Sequence, residues 1–264
     1  MSLADSIEGL LIDIDGVLVV SWEPIAGARD ALAALRSSGR RFLLATNTTT
    51  AGRSTLVRRL CEAGFDVELE DLVTAPLATA AYLRARHPGA SCFLLATGDV
   101  AEDFADVELV DADADVVVIA GAEERFTYDN MNRAYRMLND GAALVAMHRN
   151  VSWMTSEGLK LDAGPYVRAL EEAAEVEAVV VGKPSADFFA TAVALLGGPR
   201  ERVAMVGDDI HSDVLAAQAL GLTGVLVRTG KFRPEVLERA GGAPDHVIDS
   251  IADLPALLSE EQQP

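Results

Sequence analysis

Residues 11–18 read LIDIDGVL, an apolar run that ends in two aspartates separated by one residue and followed by a glycine. The run from Leu10 to Ile14 predicts a buried strand, and carboxylates are rarely buried inside one. In an open parallel sheet, ligands bind just beyond the carboxyl ends of the strands. Asp13 and Asp15 therefore occupy a position where a site is expected. The alternative is an ordinary turn, in which an aspartate caps the next helix and Gly16 supplies a positive φ.

The same strand-then-helix pattern repeats along the chain, and it indicates an α/β fold with a mostly parallel sheet. Towards the two ends of the sequence, the predicted elements are strands at Arg41–Ala45 and Val203–Val206 and helices at Ala28–Ser38, Ser54–Ala63 and Ser212–Leu220. A second set lies between them, with strands at Cys92–Ala96, Val116–Ala120 and Ala143–Met147 and helices at Pro76–Arg86, Tyr128–Asn139 and Gly164–Ala174. We therefore predict a Rossmann-like doubly wound core from residues 1–76 and 181–264, interrupted by an inserted α/β domain at 77–180.

The composition is that of a globular and strongly acidic chain. Half of the 264 residues are hydrophobic, and 41 acidic against 22 basic side chains give a net charge of −19. This charge repels nucleic acids and anionic membranes, so we expect neither as a partner. No apolar run approaches the roughly 20 residues that cross a bilayer. Cys61 and Cys92 lie in apolar surroundings and lack C-x-x-C spacing, which indicates buried, reduced thiols, so we expect a cytoplasmic protein.

Two further predicted strand ends carry groups that suit an anion. Residues 45–50 read ATNTTT and offer the hydroxyl of Thr46, the amide of Asn47 and backbone N–H groups, although a helix N-cap uses the same residue types. Residues 181–185 read VGKPS and place Lys183 in a glycine–proline turn. The chain contains only three lysines. A solvated surface lysine is the common case, but in so acidic a protein a phosphate site needs a local cation.

Residues 207–213 read GDDIHSD and place three carboxylates, Asp208, Asp209 and Asp213, at another strand-to-helix turn. A helix N-cap needs only one of them. If they converge with the first aspartate pair, each close pair of charges repels by about 4 kcal/mol at ~4 Å and an effective dielectric constant of about 20. A divalent cation would relieve that repulsion. Since the candidate ligands are all oxygens, Mg²⁺ is favoured over zinc.

In this order, the motifs DxDG, T-N, G-K-P and GDDxxxD resemble those of the haloacid dehalogenase (HAD) superfamily of phosphatases over nearly the whole chain. The long spacing between the second and third motifs is similar to that of subfamily IIA, the NagD-like and p-nitrophenyl phosphatases, which carry a large α/β cap domain there. Residues 159–166 and 228–233 look most like the phospholysine phosphohistidine inorganic pyrophosphate phosphatase branch. Several members of that branch carry serine at the position of Asp15, so turnover and substrate range are expected to differ.

The resemblance implies a role for each motif residue. Asp13 would be the nucleophile that forms an aspartyl-phosphate, and Asp15 the general acid and then base. Thr46 and Lys183 would hold the phosphate, and Asn47 would order their loop. Mg²⁺ would be bound by Asp13, the main-chain carbonyl of Asp15 and Asp208, with Asp209 and Asp213 either binding it through water or orienting the lysine.

All four motifs lie outside residues 77–180, so we hypothesise that this domain is a cap that closes over the site and selects the leaving group. Within it, residues 158–166 are predicted to form a shaped polar loop, whose Lys160, Asp162 and Tyr166 would bind substrate. The alternative is a plain helix-entry loop. The partners expected are a small phosphorylated substrate and, as an open alternative, a second copy of the chain that docks through the cap.

Other functions remain open on the sequence. A phosphotransferase or mutase would use the same aspartyl-phosphate but pass the phosphoryl group to another hydroxyl. A non-catalytic phospho-receiver module also combines aspartates, a hydroxyl and a lysine, although receivers lack an inserted domain. Dehalogenation uses a related fold, but the second aspartate and the acidic cluster favour phosphoryl chemistry. The absence of G-x-x-x-x-G-K-S/T and G-x-G-x-x-G disfavours nucleoside triphosphatases and dinucleotide enzymes.

Overall fold

A computed structural model of the protein describes residues 6–155 and 158–259. The strands, in chain order, are β1 Gly9–Ile12, β2 Val19–Val20, β3 Glu23–Pro24, β4 Arg41–Thr46, β5 Leu72–Thr74, β6 Ser91–Leu95, β7 Glu108–Leu109, β8 Val116–Ile119, β9 Ala143–Ala146, β10 Ser152–Thr155, β11 Gly158–Leu161, β12 Val179–Val180, β13 Val203–Gly207, β14 Thr223–Val227 and β15 His246–Ile248. The α-helices are α1 Ala28–Ser37, α2 Arg53–Glu62, α3 Ala75–Arg86, α4 Tyr128–Asn139, α5 Ala163–Ala174, α6 Ala186–Leu196, α7 Ala216–Gln218, α8 Pro234–Glu238 and α9 Leu254–Leu257. Within the described ranges, no helix is both long and apolar enough to cross a membrane.

The first of two compact units contains the described residues of Met1–Thr46, Leu56–Val73 and Phe189–Pro264. It is built on a six-stranded sheet in the order β15-β14-β13-β1-β4-β5. The chain runs outwards from β1 to β4 on one side and returns to β13 on the other, and both neighbours pair with β1 in parallel. The boundary between β1 and β13 is therefore the topological switch point, where ligands bind in open α/β sheets.

The second unit contains Asn47–Thr55 and Thr74–Phe188. Its five-stranded sheet has the order β12-β9-β8-β6-β7, and the pairs within it are parallel. The helices α4 and α5 contribute buried side chains to the same apolar core as β6, β8 and β9. A separate two-stranded hairpin joins β10 to β11 in antiparallel register. The α/β architecture predicted from the sequence is confirmed.

The segment Asn47–Thr55, which the sequence prediction left in the core domain, belongs to the second unit. Side chains from the turn after β6 hold its backbone: Gly52 N–H donates to Asp99 Oδ1 at 2.6 Å, and Ser54 N–H donates to Glu102 Oε1 at 2.7 Å. These carboxylates satisfy backbone donors at the start of α2, which otherwise have no partner within the helix. The second unit also extends to Phe188, beyond the boundary predicted at 180.

Two predictions differ from the structure: Cys61, expected to be buried, is exposed, and one predicted helix has a different form. Instead of a helix over 212–220, residues Ile210–Leu215 form a π-helical turn that leads into the short α7. Val214 N–H donates to the carbonyl of Asp209, five residues back, which widens the turn. A π turn is typical of functional sites, and periodicity in the sequence does not distinguish it from an α-helix.

Candidate active site

The first two acidic motifs meet at the switch point of the first sheet. The β1–β13 register pairs Ile12 with Val206, and Asp13 follows directly, its N–H donating to the carbonyl of Val206 at 2.9 Å. Asp208 follows the neighbouring strand β13. Since both strands end at the same edge of the sheet, both carboxylates lie at this edge, so the condition under which a divalent cation was expected is met for Asp13 and Asp208.

Asp13, Asp208 and Asp213 form one buried carboxylate group. Each offers an oxygen within 4.8 Å of the others, and their exposed fractions are 6%, 2% and 1%. Asp213 reaches this group from the π-helical turn and packs against Gly207, where a Cβ would lie 2.3 Å from that of Asp213. A side chain at 207 would therefore displace the third carboxylate.

Burial disfavours the charged form of Asp208 within this group. Desolvation, followed by the charge of Asp13, raises the pKa of Asp208 to about 7, although the backbone N–H of Lys231 opposes the rise. Oδ2 of Asp208 accepts that N–H at 2.6 Å, whereas Oδ1 has no hydrogen-bond partner among the described residues. A buried acceptor without a donor is costly unless a ligand satisfies it. An all-oxygen set of this kind fits Mg²⁺.

Asp209 and Asp15, also predicted metal ligands, lie outside the group of three. Asp209 caps the π-helical turn, because its Oδ1 accepts the N–H groups of His211 at 2.9 Å and Ser212 at 3.1 Å. Burial raises its pKa, but these backbone donors outweigh burial and leave the pKa lowered. Asp15 has an exposed side chain, two residues beyond the buried Asp13.

The predicted phosphate-holding residues divide between the two units. Thr46 is the buried last residue of β4 in the first unit. Asn47 and Lys183 both belong to the second unit and are joined by two hydrogen bonds. The amide of Asn47 donates to the Lys183 carbonyl and accepts the Lys183 N–H, each at 2.8 Å. Lys183 is 5% exposed, so this reciprocal pair fixes the backbone beneath a buried lysine, consistent with the loop-ordering role expected of Asn47.

The loop after β14, missed as part of the site by sequence reasoning, contacts the carboxylate group. Lys231 donates its backbone N–H to Asp208, and its side chain is exposed. Desolvation lowers the pKa of Lys231, but the charges of Asp13 and Asp208, with smaller contributions from neighbouring aspartates, leave it raised. A signal was present in the sequence. Lys231 is one of three lysines and, like Lys183, sits in a glycine turn after an apolar run.

The prediction of a polar loop at 158–166 is wrong, because these residues form a strand and the start of a helix. Gly158–Leu161 is a strand of the hairpin, and Lys160 on it is exposed. Asp162 is the N-cap of α5 and accepts the Ala163 N–H at 2.8 Å. Tyr166 lies on α5, where its ring stacks on Phe126 with centroids 3.8 Å apart. Among the described residues the strand pairs only with β10, so its alternating pattern lacks the buried face that identifies strands in a sequence.

Two family models match the chain. The model described as haloacid dehalogenase-like hydrolase covers residues 10–110, and a HAD-hydrolase-like model covers 180–254. The phospholysine phosphohistidine inorganic pyrophosphate phosphatase of Bos taurus is 38% identical over 96% of this chain and 94% of its own. The haloacid dehalogenase-like hydrolase domain-containing protein 2 of Bos taurus is 34% identical over 95% and 98%. The chain belongs to the haloacid dehalogenase-like hydrolases.

Solved structures agree with this membership of the HAD hydrolases. The 4-nitrophenylphosphatase of Thermotoga maritima is 30% identical, with a TM-score of 0.90, and the match covers 97% of this chain and 99% of that one. The p-nitrophenyl phosphatase of Archaeoglobus fulgidus is 32% identical, with a TM-score of 0.88 and coverage of 95% and 99%. The predicted resemblance to NagD-like and p-nitrophenyl phosphatases is confirmed, and this HAD protein is a phosphatase.

Proposed function

We propose that this HAD phosphatase hydrolyses small phosphorylated compounds in a Mg²⁺-dependent reaction with an aspartyl-phosphate intermediate on Asp13. The observation that carries the proposal is the buried group of Asp13, Asp208 and Asp213 at the switch point of the first sheet. Three carboxylates at this distance repel one another, and Oδ1 of Asp208 has no donor among the described residues. A hard divalent cation would offset the repulsion and bind that oxygen.

The proposed chemistry begins with attack of an Asp13 carboxylate oxygen on phosphorus, which forms the aspartyl-phosphate and breaks the bond to the leaving oxygen. The Ile14 N–H donates to Asp13 Oδ1 at 2.9 Å and fixes the rotation of the nucleophile. Asp15 protonates the leaving oxygen and then takes a proton from the water that attacks phosphorus and releases Asp13. Its exposed position gives it access to leaving group and water.

In this proposal the three buried carboxylates and the main-chain carbonyl of Asp15 would hold Mg²⁺, which would supply positive charge to offset the negative charge of the transferring phosphoryl group. Thr46 and Lys183 hold the phosphoryl oxygens, and Asn47 keeps the lysine backbone in place. The second unit acts as the cap that recognises the rest of the substrate. Because the protein carries a net charge of −19, these local cations offset a field that repels phosphate esters.

The test is hydrolysis of p-nitrophenyl phosphate and of pyrophosphate by the full chain. Chelator should abolish phosphate release and Mg²⁺ should restore it.

Among the variants, Asp13→Asn should abolish hydrolysis, and Asp15→Asn should lower kcat at least about a hundredfold. Lys183→Met should lower kcat/KM by about a hundredfold or more, because a phosphoryl oxygen loses its cation. Asp30→Asn, a neutralised exposed carboxylate on α1, is the control and should leave the rate unchanged.

Product analysis separates the alternatives. Transfer of phosphate to an added alcohol in preference to water would indicate a phosphotransferase. A phosphorylated Asp13 that persists without phosphate release would indicate a receiver-like module. Full activity in chelator, or near wild-type turnover by Asp13→Asn, would overturn the proposed mechanism.

A further inference from the structure

The loop after β14 makes two directed contacts with the carboxylate site. The Thr229 hydroxyl donates to the main-chain carbonyl of Gly16 at 2.5 Å, on the loop that carries Asp13 and Asp15. Two residues later, the Lys231 N–H donates to Oδ2 of Asp208 at 2.6 Å. A stretch of three residues therefore contacts both strand-end loops, one that follows β1 and one that follows β13.

Two glycines close the space around the same oxygen of Asp208. A Cβ on Gly16 would lie 1.9 Å from Asp208 Oδ2, and a Cβ on Gly230 would lie 2.0 Å from it. The second Cβ would also lie 2.5 Å from the Gly16 Cα, so the two backbones pass each other without room for a side chain. Both glycines have positive φ, 86° and 59°, which other residues rarely adopt.

These contacts make the two oxygens of Asp208 unequal. Oδ2 is enclosed by both glycines and accepts a backbone donor, whereas Oδ1 has no donor among the described residues. A carboxylate with one oxygen held by the backbone cannot rotate freely about its last torsion. It therefore presents the other oxygen in a fixed direction, and a fixed ligand loses less conformational freedom when it binds a cation.

We propose that Thr229, Gly230 and Lys231 form a positioning clamp, which holds the Gly16 loop and Asp208 so that Oδ1 of Asp208 is the oxygen available to a divalent cation. The inference rests on the proposed function, because it assigns the clamp to the Mg²⁺ site. Thr229 acts through the Gly16 carbonyl and is a positioning residue. The Lys231 side chain is not needed, since its contribution is the backbone N–H.

The hydroxyl is tested by Mg²⁺ titration of the full chain in a calorimeter, without substrate. Thr229→Val keeps the shape of the side chain but removes the donor, and Kd for Mg²⁺ should rise about tenfold or more, as for other groups that orient metal ligands. Thr229→Ser restores the donor and should bind Mg²⁺ within about threefold of wild type. A purely structural role would lower Tm in metal-free buffer without this rescue of affinity.

The enclosure is tested by a matched glycine pair. Gly230 and Gly241 both have positive φ, 59° and 73°, but a Cβ on Gly241 meets nothing within 4 Å. Gly230→Ala and Gly241→Ala therefore share the backbone strain, and only the first displaces Asp208. We expect Gly230→Ala to weaken Mg²⁺ binding by about tenfold or more and Gly241→Ala to leave Kd unchanged.

The outcomes separate the two proposals. If wild type takes up no Mg²⁺ at all, the proposed function fails. If wild type binds Mg²⁺ and both Thr229→Val and Gly230→Ala bind it equally well, the clamp is overturned while the metal site stands. Loss of Mg²⁺ affinity in Thr229→Ser as well as Thr229→Val would also overturn the clamp, because the donor would then not be the cause.

Discussion

The two parallel sheets end in different chemistry. In the first unit, three buried carboxylates lie together at the edge formed by β1 and β13, and Oδ1 of Asp208 has no donor among the described residues. In the second unit, the residues after β8 and β9 form a hydrogen-bonded polar network. His148 Nε2 lies 2.9 Å from the Thr49 hydroxyl oxygen, which also accepts the Gly121 N–H at 2.9 Å.

The two ends differ in charge as well as in pairing. His148 accepts the Asn150 N–H at its Nδ1, 3.3 Å away, so its Nε2 carries the proton and donates to Thr49. Burial lowers the pKa of His148, against the opposing charge of Asp162, and favours this neutral form. Strand ends of similar topology can therefore hold either a hydrogen-bonded structural network or a group of buried carboxylates that requires a ligand. Of these two strand ends, the one with unbalanced charges is the one that fits a cation.

The largest effect is expected at Asp208. Asp208→Asn removes a carboxylate ligand of the proposed Mg²⁺ site, so kcat/KM should fall by about a thousandfold or more, equivalent to several kcal/mol of lost metal-ion catalysis. The same change should raise Tm of the metal-free protein, by about 2–4 °C for each kcal/mol of repulsion relieved. The measurements are p-nitrophenyl phosphate kinetics and calorimetric melting in chelator.

A matched change is Asp249→Asn, at another strand end of the same sheet, where the exposed carboxylate pairs with Arg228 at 2.7 Å. An exposed pair of this kind contributes about 0–1 kcal/mol, so neither activity nor Tm should change much. If Asp208→Asn instead lowered Tm in chelator, the carboxylate group would stabilise the metal-free protein, as the network of the second unit does, and the inferred repulsion would be wrong.

A smaller effect, on the pH dependence of stability and not on activity, is expected from the His148 network. Because burial holds the pKa of His148 below that of the unfolded chain, its contribution to stability is present above about pH 6.5 and is lost as pH falls through the folded-state pKa. The facing carboxylate of Asp162, with its Oδ1 3.6 Å from Nε2, moderates this loss. We expect the free energy of unfolding to fall between pH 7.5 and 5, and His148→Gln to flatten that dependence.

Urea unfolding at several pH values, read as the difference between wild type and variant, measures this dependence. His246→Gln, on β15 outside the network, is the control and should keep the wild-type slope. Equal slopes for wild type and His148→Gln would show that this histidine is not held neutral by the fold. Mg²⁺ dependence should be unchanged in His148→Gln, because no predicted metal ligand belongs to the network.

The sequence predicted five aspartates as metal ligands, and the structure brings three of them together, Asp13, Asp208 and Asp213, for a physical reason. Adjacent parallel strands end at one edge, so carboxylates that follow two apolar runs converge once those strands pair. The sequence did not separate Asp209 from Asp213, because that depends on the π-helical turn, which buries the second and leaves the first as a cap. Residue types alone are the same for both.

The clamp could not be predicted from the sequence, for a different reason. Thr229 contacts Gly16 across 213 positions of the chain, and a threonine–glycine–lysine turn is also typical of a plain surface loop. The hairpin strand Gly158–Leu161 was likewise interpreted as a loop, because it has no buried face to set an alternating pattern. Long-range contacts made by single hydrogen bonds leave no periodic signal.

The smallest effect is expected at Asp162, which the sequence suggested as a substrate-binding residue and the structure shows as a helix cap. Its carboxylate accepts the Ala163 N–H at the start of α5, so Asp162→Ala should lower the free energy of unfolding by about 1 kcal/mol. Asp162→Asn keeps an acceptor oxygen and should lose only a few tenths of that, although it removes the same charge. The two variants thus separate capping from substrate charge. If Asp162 bound substrate through its charge, both would reorder kcat/KM across a panel of phosphate esters; if it only caps α5, neither would.

Lys160, exposed on the hairpin opposite Trp153, provides the contrast. Lys160→Ala should leave stability within about 0.5 kcal/mol and change the substrate ranking if the hairpin contacts the leaving group. An unchanged ranking in Lys160→Ala would show that Lys160 is not a specificity element.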